Sequence, residues 1–290
     1  MCDEHYVEDL ARYVNRSRLT RRTFGAISAG VGLSMLLPPV ANAQDVTERD
    51  VEIETPDGMA DAYFVHPSTG AHAGVLVWPD ILGLRPTFRA MGKRLAQSGY
   101  SVLVVNPFYR QRKAPVVPEG ASFSNPEVRN TVFPLAQSLT PETHVTDARA
   151  FVGWLDRQNA VDTNRKVGTT GYCMGGPMVM RTAATLPDRV GAAATFHGGG
   201  LVTDQPDSPH LLIPQMKASF LIAVAENDDE RQPEAKDVLR KGFADAGLDA
   251  EIEVYPAAHG WCVPDSDVYE EEAAERAWSR LLALFDKALA

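Results

Sequence analysis

Gly171-Tyr172-Cys173-Met174-Gly175-Gly176 is the stretch that decides the architecture of this chain. Lys166 to Thr170 precedes it with strand character, and Gly176 to Leu186 follows with helical spacing and stops at Pro187. A glycine-flanked cysteine at a strand-to-helix switch reads as a nucleophile elbow, with sulfur where serine is more common. Residues lacking a β-carbon let strand, turn and helix close on one another, so a strained turn can lift the sulfur above the sheet edge. The same turn sets the sulfur near a helix N-terminus, whose partial positive charge favours a thiolate. A buried structural cysteine in a glycine-rich turn is the competing reading. The strand before and the helix after weigh against it.

The flanking sequence alternates in the same way. Val51 to Glu54 and Met59 to Val65 read as two strands around the turn Pro56-Asp57-Gly58. Gly74 to Trp78 and Ser101 to Val105 are apolar runs, as strands buried on both faces would be. Between them Arg85 to Gln97 has helical spacing and ends at Ser98-Gly99. Further strands are expected at 190–196, 219–225 and 251–255, and helices at 143–158, 233–246 and 268–289. Apolar strands separated by helices predict an α/β fold, a mostly parallel sheet with helices on both faces. Residues 106–140 hold several prolines and no clear period, so they read as a long loop over the strand ends, where loops shape sites. No internal repeat is present.

A thiol nucleophile needs a base, and the base an orienting acid. His259, in Ala258-His259-Gly260, follows the last expected strand, and Asp228, in Glu226-Asn227-Asp228-Asp229, follows the one before it. Nucleophile, acid and histidine therefore come in the order this architecture uses, each after a strand. Asp229 is hard to separate from Asp228; the latter is favoured for lying three residues past the strand end. His197, before Gly198-Gly199-Gly200, belongs to the same rim as a wall residue or loop anchor. His66, His72, His144 and His210 do not occupy such strand ends. No pair of histidines and acids has convincing metal spacing, so neither a metal nor a cofactor is expected.

The N-terminus carries a separate signal. Thr20-Arg21-Arg22-Thr23-Phe24, the apolar run Gly25 to Leu37 and Ala41-Asn42-Ala43 have the three parts of an export leader of twin-arginine type. The run is too short for the ~20 residues that span a bilayer. Cleavage after Ala43 would leave one domain, 44–290, exported to the periplasm through the twin-arginine machinery, with no membrane anchor and with Cys173 and Cys262 as its cysteines. The net charge of −10 argues against a nucleic-acid partner, which requires a basic footprint.

With the elbow, the Asp228 segment, Ala258-His259-Gly260 and Trp78-Pro79-Asp80-Ile81-Leu82-Gly83-Leu84 in view, the chain resembles the dienelactone hydrolase (carboxymethylenebutenolidase) family from about residue 50 to its end. The resemblance implies an α/β-hydrolase fold and cleavage of a small-molecule ester or lactone by a Cys-Asp-His triad. It also implies an oxyanion hole from the backbone amides of Ile81 and Met174. Asp80 stands where the family has a glutamate beside the resting thiol. Dienelactones carry a carboxylate that arginines bind; Arg110, beside Tyr109, matches one such position approximately and Arg112 is near. A second arginine after the histidine is replaced by Trp261-Cys262-Val263-Pro264, which suggests a more apolar wall formed by Trp261. Cys262 also opens an alternative, a redox-gated enzyme or a non-catalytic binding protein in which Cys173 and Cys262 are bridged.

Overall fold

The structure is a computed structural model that describes residues 37–290. Residues 1–36, with the arginine pair and most of the apolar run of the expected leader, lie outside the described residues.

Eight strands form one sheet: β1 (Val46–Thr55), β2 (Gly58–Pro67), β3 (Gly74–Trp78), β4 (Ser101–Val105), β5 (Val167–Tyr172), β6 (Val190–Phe196), β7 (Ser219–Ala225) and β8 (Ala250–Tyr255). Their spatial order is β1-β2-β4-β3-β5-β6-β7-β8. The first two make an antiparallel hairpin in which Thr55 faces Gly58, and β2 runs antiparallel to β4. Every other pairing is parallel. A parallel sheet points its strand ends the same way, so the turns after β3, β5, β6, β7 and β8 gather on one rim.

Period-two alternation divides the core into two faces. Val75 and Val77 of β3, Val102 and Val104 of β4, and Leu221 and Ala223 of β7 face α1 (Pro86–Gln97) and α7 (Glu271–Ala288). Leu76, Trp78, Leu103, Phe220 and Ile222 face the other way. There they meet α3 (Pro141–Leu155), α4 (Gly175–Thr185) and α6 (Ala235–Asp245). The central strands β3 and β4 are buried throughout, which is why they read as continuous apolar runs. Each fully buried Leu, Ile or Phe contributes about 1.5–3 kcal/mol.

Two local readings are corrected. Within 106–140 the chain forms α2 (Pro126–Gln137), despite the internal Pro134. Asn125 caps it, its side chain accepting from Glu127 N at 2.9 Å, and Pro126 starts it. Val128, Val132 and Leu135 of α2 bury against Ile81, Leu82 and Phe108, so this excursion has a small core of its own over the β3 end. A short helix α5 (Glu226–Arg231) also follows β7 immediately, and it carries Asp228. No described helix is long and apolar enough to cross a membrane.

Candidate active site

Cys173 lies between the last residue of β5 and the first turn of α4, with φ of 52°, a left-handed conformation that costs a non-glycine residue about 1–3 kcal/mol. The turn is held by Cys173 N donating to Phe196 O at 3.0 Å and by Gly176 N donating to Cys173 O at 3.0 Å. The glycines are steric necessities. A β-carbon on Gly171 would fall 2.4 Å from the Gly175 carbonyl oxygen, and one on Gly175 would fall 2.5 Å from that of Trp78. Cys173 is only 5% exposed, so the sulfur meets solvent through the cleft alone.

The turns after β7 and β8 bring up its partners. Asn227 Oδ1 accepts from the backbone N–H of His259 at 2.8 Å, and Glu226 N donates to Ala257 O at 3.0 Å, which lock the two turns together. His259 Nδ1 then meets Asp228 Oδ2 at 2.7 Å, while the ring hydrogen-bonds to Cys173 on its other side. Asp229 turns away to Lys236 Nζ at 2.6 Å, so Asp228 is the carboxylate that faces the imidazole. Burial disfavours a charged His259, but Asp228 and Cys173 outweigh it by charge and hydrogen bonds and hold its pKa well above the usual histidine value.

His197 sits at the end of β6 with φ of 39° and is 1% exposed. Its ring lies edge-on to His259, centroids 4.7 Å apart, and edge-on to Trp261 at 5.3 Å. Neither ring nitrogen has a hydrogen-bond partner. Burial, and then the neighbouring His259 charge, push its pKa well below the usual value, so it is neutral. One ligand-type atom each from Cys173, His197 and His259 lie within 4.8 Å of one another. The sequence placed all three on one rim, but it did not show that their donor atoms converge on one point.

The sulfur opens into a cleft. Ile81 lines it, and neither Ile81 N–H nor Met174 N–H donates to a backbone carbonyl among the described residues. Asp80 lines it too, but its oxygens are occupied by Leu82 N at 2.9 Å and by Arg85 at 2.6 and 2.9 Å. Arg85 is gripped on its other side by Asp265 at 2.7 and 2.8 Å. Across the mouth, Ser122 of the 106–140 excursion donates to Asp267 of the loop after β8. Arg231, one turn of α5 beyond Asp228, also reaches the cleft, 3.9 Å from the Asp228 carboxylate. It was missed because α5 was not foreseen, and helical spacing is what aims it there.

Three expectations do not hold geometrically. Arg110 does not line the cleft; its guanidinium pairs with Asp147 at 2.6 and 2.9 Å and with Asp57 at 2.6 and 3.0 Å. Tyr109 hydrogen-bonds Thr55 and Asp147, both at 2.8 Å, in the same outlying network. Trp261 is fully buried, stacked on Tyr255 at 5.2 Å, and supports His197 from behind instead of forming the wall. Arg112 donates to the Val116 carbonyl. Cys173 and Cys262 are both free thiols, and Cys262 lines a second cavity with Tyr172 and Phe196.

The fold agrees with the comparison to known proteins. The profile of the dienelactone hydrolase family matches residues 60–289. The chain belongs to the dienelactone hydrolase family. Membership sets its class, a hydrolase of ester or lactone bonds. A Methylorubrum extorquens protein assigned as a carboxymethylenebutenolidase is 26% identical over 286 residues, 94% of each chain. A Yersinia pestis protein with the same assignment is 28% identical over 231 residues, 77% of this chain and 82% of the other. Among solved structures, one assigned as a dienelactone hydrolase from Klebsiella pneumoniae has a TM-score of 0.72 at 22% identity, covering 84% of this chain and all of its own. A dienelactone hydrolase-like promiscuous phosphotriesterase from metagenomic libraries has a TM-score of 0.70 at 22% identity, with 84% and 99% coverage. At such identities these structures speak for the fold alone.

Proposed function

We propose that this family member cleaves a neutral carboxylic ester or lactone through a thioester on Cys173. The observation that carries the reading is His259 held between Asp228 and the Cys173 sulfur on a strained elbow. The Cys173 thiolate adds to the carbonyl carbon, and the oxygen takes up the negative charge facing the Ile81 and Met174 amides. Each such donor is worth about 3–4 kcal/mol in comparable sites. Collapse expels the alkoxide, which takes the proton of the His259 imidazolium. Neutral His259 then draws a proton from water, hydroxide adds to the thioester, and the acid leaves as the sulfur is regenerated. Asp228 fixes the tautomer and offsets the imidazolium charge.

The preference for a neutral substrate follows from the charges around the cleft. Arg85 is matched by Asp80 and Asp265, Arg231 lies beside Asp228, and Asp267 adds a further carboxylate at the mouth. An anionic substrate would meet a field that is balanced or negative. The test is hydrolysis of short aryl esters, neutral lactones and a carboxylate-bearing dienelactone by wild type and Cys173→Ala. Turnover that depends on Cys173 and favours the neutral members is expected. Equal turnover by Cys173→Ala would overturn the thiol mechanism, and preference for the dienelactone would overturn the charge reading.

Residues 1–43 we propose as a twin-arginine leader that directs export to the periplasm. The supporting features are Arg21-Arg22, the short apolar run and Ala41-Asn42-Ala43. N-terminal sequencing of protein from the periplasmic fraction should begin near Gln44. An intact Met1 start there would contradict cleavage.

A further inference from the structure

Among the buried polar groups, His197 stands apart. It is 1% exposed, lines the cleft and leaves both ring nitrogens without a partner. A buried imidazole normally satisfies at least one nitrogen, since an unmet polar group costs about 1–3 kcal/mol. One of its nitrogens shares a 4.8 Å cluster with the Cys173 sulfur and a His259 nitrogen. We propose that Cys173, His197 and His259 bind a borderline-soft divalent cation, Zn2+ or a close analogue, which reversibly silences the thiol. The site itself rests on three side-chain positions alone; the silencing rests on the proposed role of Cys173 as nucleophile.

The donor set fits the ion. One thiolate and two imidazoles suit Zn2+ and its neighbours, whereas Mg2+ and Ca2+ ask for oxygen. Bonds of about 2.0–2.3 Å need donor atoms some 3.3–3.8 Å apart, so the widest pair would draw in by up to about 1 Å. Asp228 behind His259 Nδ1 is the carboxylate–histidine arrangement that orients a metal-bound imidazole. The Cys173–His259 pair shares one proton; the cation takes both the sulfur and the nitrogen lone pair, and that proton leaves to solvent.

Co2+ titration of the purified protein tests the site, because a thiolate ligand gives a near-ultraviolet charge-transfer band and a tetrahedral site gives intense visible bands. Wild type should bind one Co2+ per chain with both signatures, and Zn2+ should displace it. Cys173→Ser should lose the near-ultraviolet band. His197→Ala should weaken binding at least tenfold, and His197→Phe, which keeps the ring volume, guards against a folding defect. In parallel, Zn2+ should abolish esterase activity and a chelator should restore it. Co2+ spectra of the aquo ion only, or affinity unchanged in both His197 variants, would overturn the site. Zn2+-insensitive or Zn2+-stimulated turnover would overturn the silencing. Esterase activity without a Co2+ site sinks this inference and spares the hydrolase reading; a Co2+ site without turnover on any ester does the reverse.

Discussion

His197 and His259 stand 4.7 Å apart, just past the ends of β6 and β8 with β7 between them, yet they are opposite kinds of histidine. His259 has a carboxylate on one nitrogen and a thiol on the other, and is held charged. The His197 ring has no hydrogen-bond partner and is held neutral. His197 is fully buried and His259 partly so. Partners decide the difference, and partners are set by which strand-end turn each residue stands on. The β7 turn supplies Asp228 and Asn227 to His259, whereas the β6 end gives His197 only the faces of His259, Tyr172 and Trp261.

The contrast is broken most forcefully at His259. His259→Ala should lower kcat/KM by roughly 10²–10⁴, the usual worth of a positioned acid–base group, whereas His197→Ala should cost under about tenfold. Steady-state kinetics on the best ester of the panel checks both. Comparable losses in the two variants would mean that the orphan nitrogens of His197 take part in turnover.

A second contrast pairs two arginines, each gripped by two carboxylates, one at the cleft and one away from it. Arg110→Ala would leave Asp147, 2% exposed, without its cation. That change should cost about 3 kcal/mol of stability, read by denaturant unfolding, with KM for neutral esters unchanged. A raised KM without lost stability would return Arg110 to the substrate site. Gly175→Ala, which thrusts a methyl at the Trp78 carbonyl, should cost about 1–3 kcal/mol or more and depress turnover by shifting the elbow.

The gentlest probe is pH. The folded pKa of His197 is depressed below 6.5, so below about pH 6.5 the unfolded chain takes a proton that the folded chain refuses, and stability falls with pH. His259 has the opposite sign. Its folded pKa is raised, so its contribution is complete below about pH 6.5 and fades as pH rises through the folded value. His197→Phe should therefore gain roughly 1–2 kcal/mol on wild type between pH 7.5 and pH 5, seen in paired thermal melts. Asp228→Asn should lose most on wild type at the acid end. An unchanged difference across that range would show that His197 charges within the fold.

Much of this was legible in the sequence, for identifiable reasons. Strands 190–196 and 219–225 match β6 and β7 end to end, because strands buried on both faces leave uninterrupted apolar runs. The elbow was legible because sterics dictate its glycines. What spacing could not supply was direction. Phe108-Tyr109-Arg110 follows β4 and matches a family position approximately, but the chain turns Arg110 toward Asp57 and Asp147, partners 53 and 37 residues away. Asp228 and Asp229 differ only in which side of one helical turn they occupy, and α5 was hidden by its polar sequence. The helix Pro126–Gln137 was hidden by Pro134, whose disruption is outweighed by burial of Val128, Val132 and Leu135.

The central claim is a covalent one, that the acyl group passes through the sulfur of Cys173. Rapid quench of wild type with an excess of a slowly deacylating aryl ester, followed by peptide mass spectrometry, tests it directly. The expected result is a burst of phenol with the acyl mass on the Cys173 peptide, absent from Cys173→Ala and long-lived in His259→Ala if any forms. Steady hydrolysis with no adduct on Cys173, continuing in Cys173→Ala, would contradict the account.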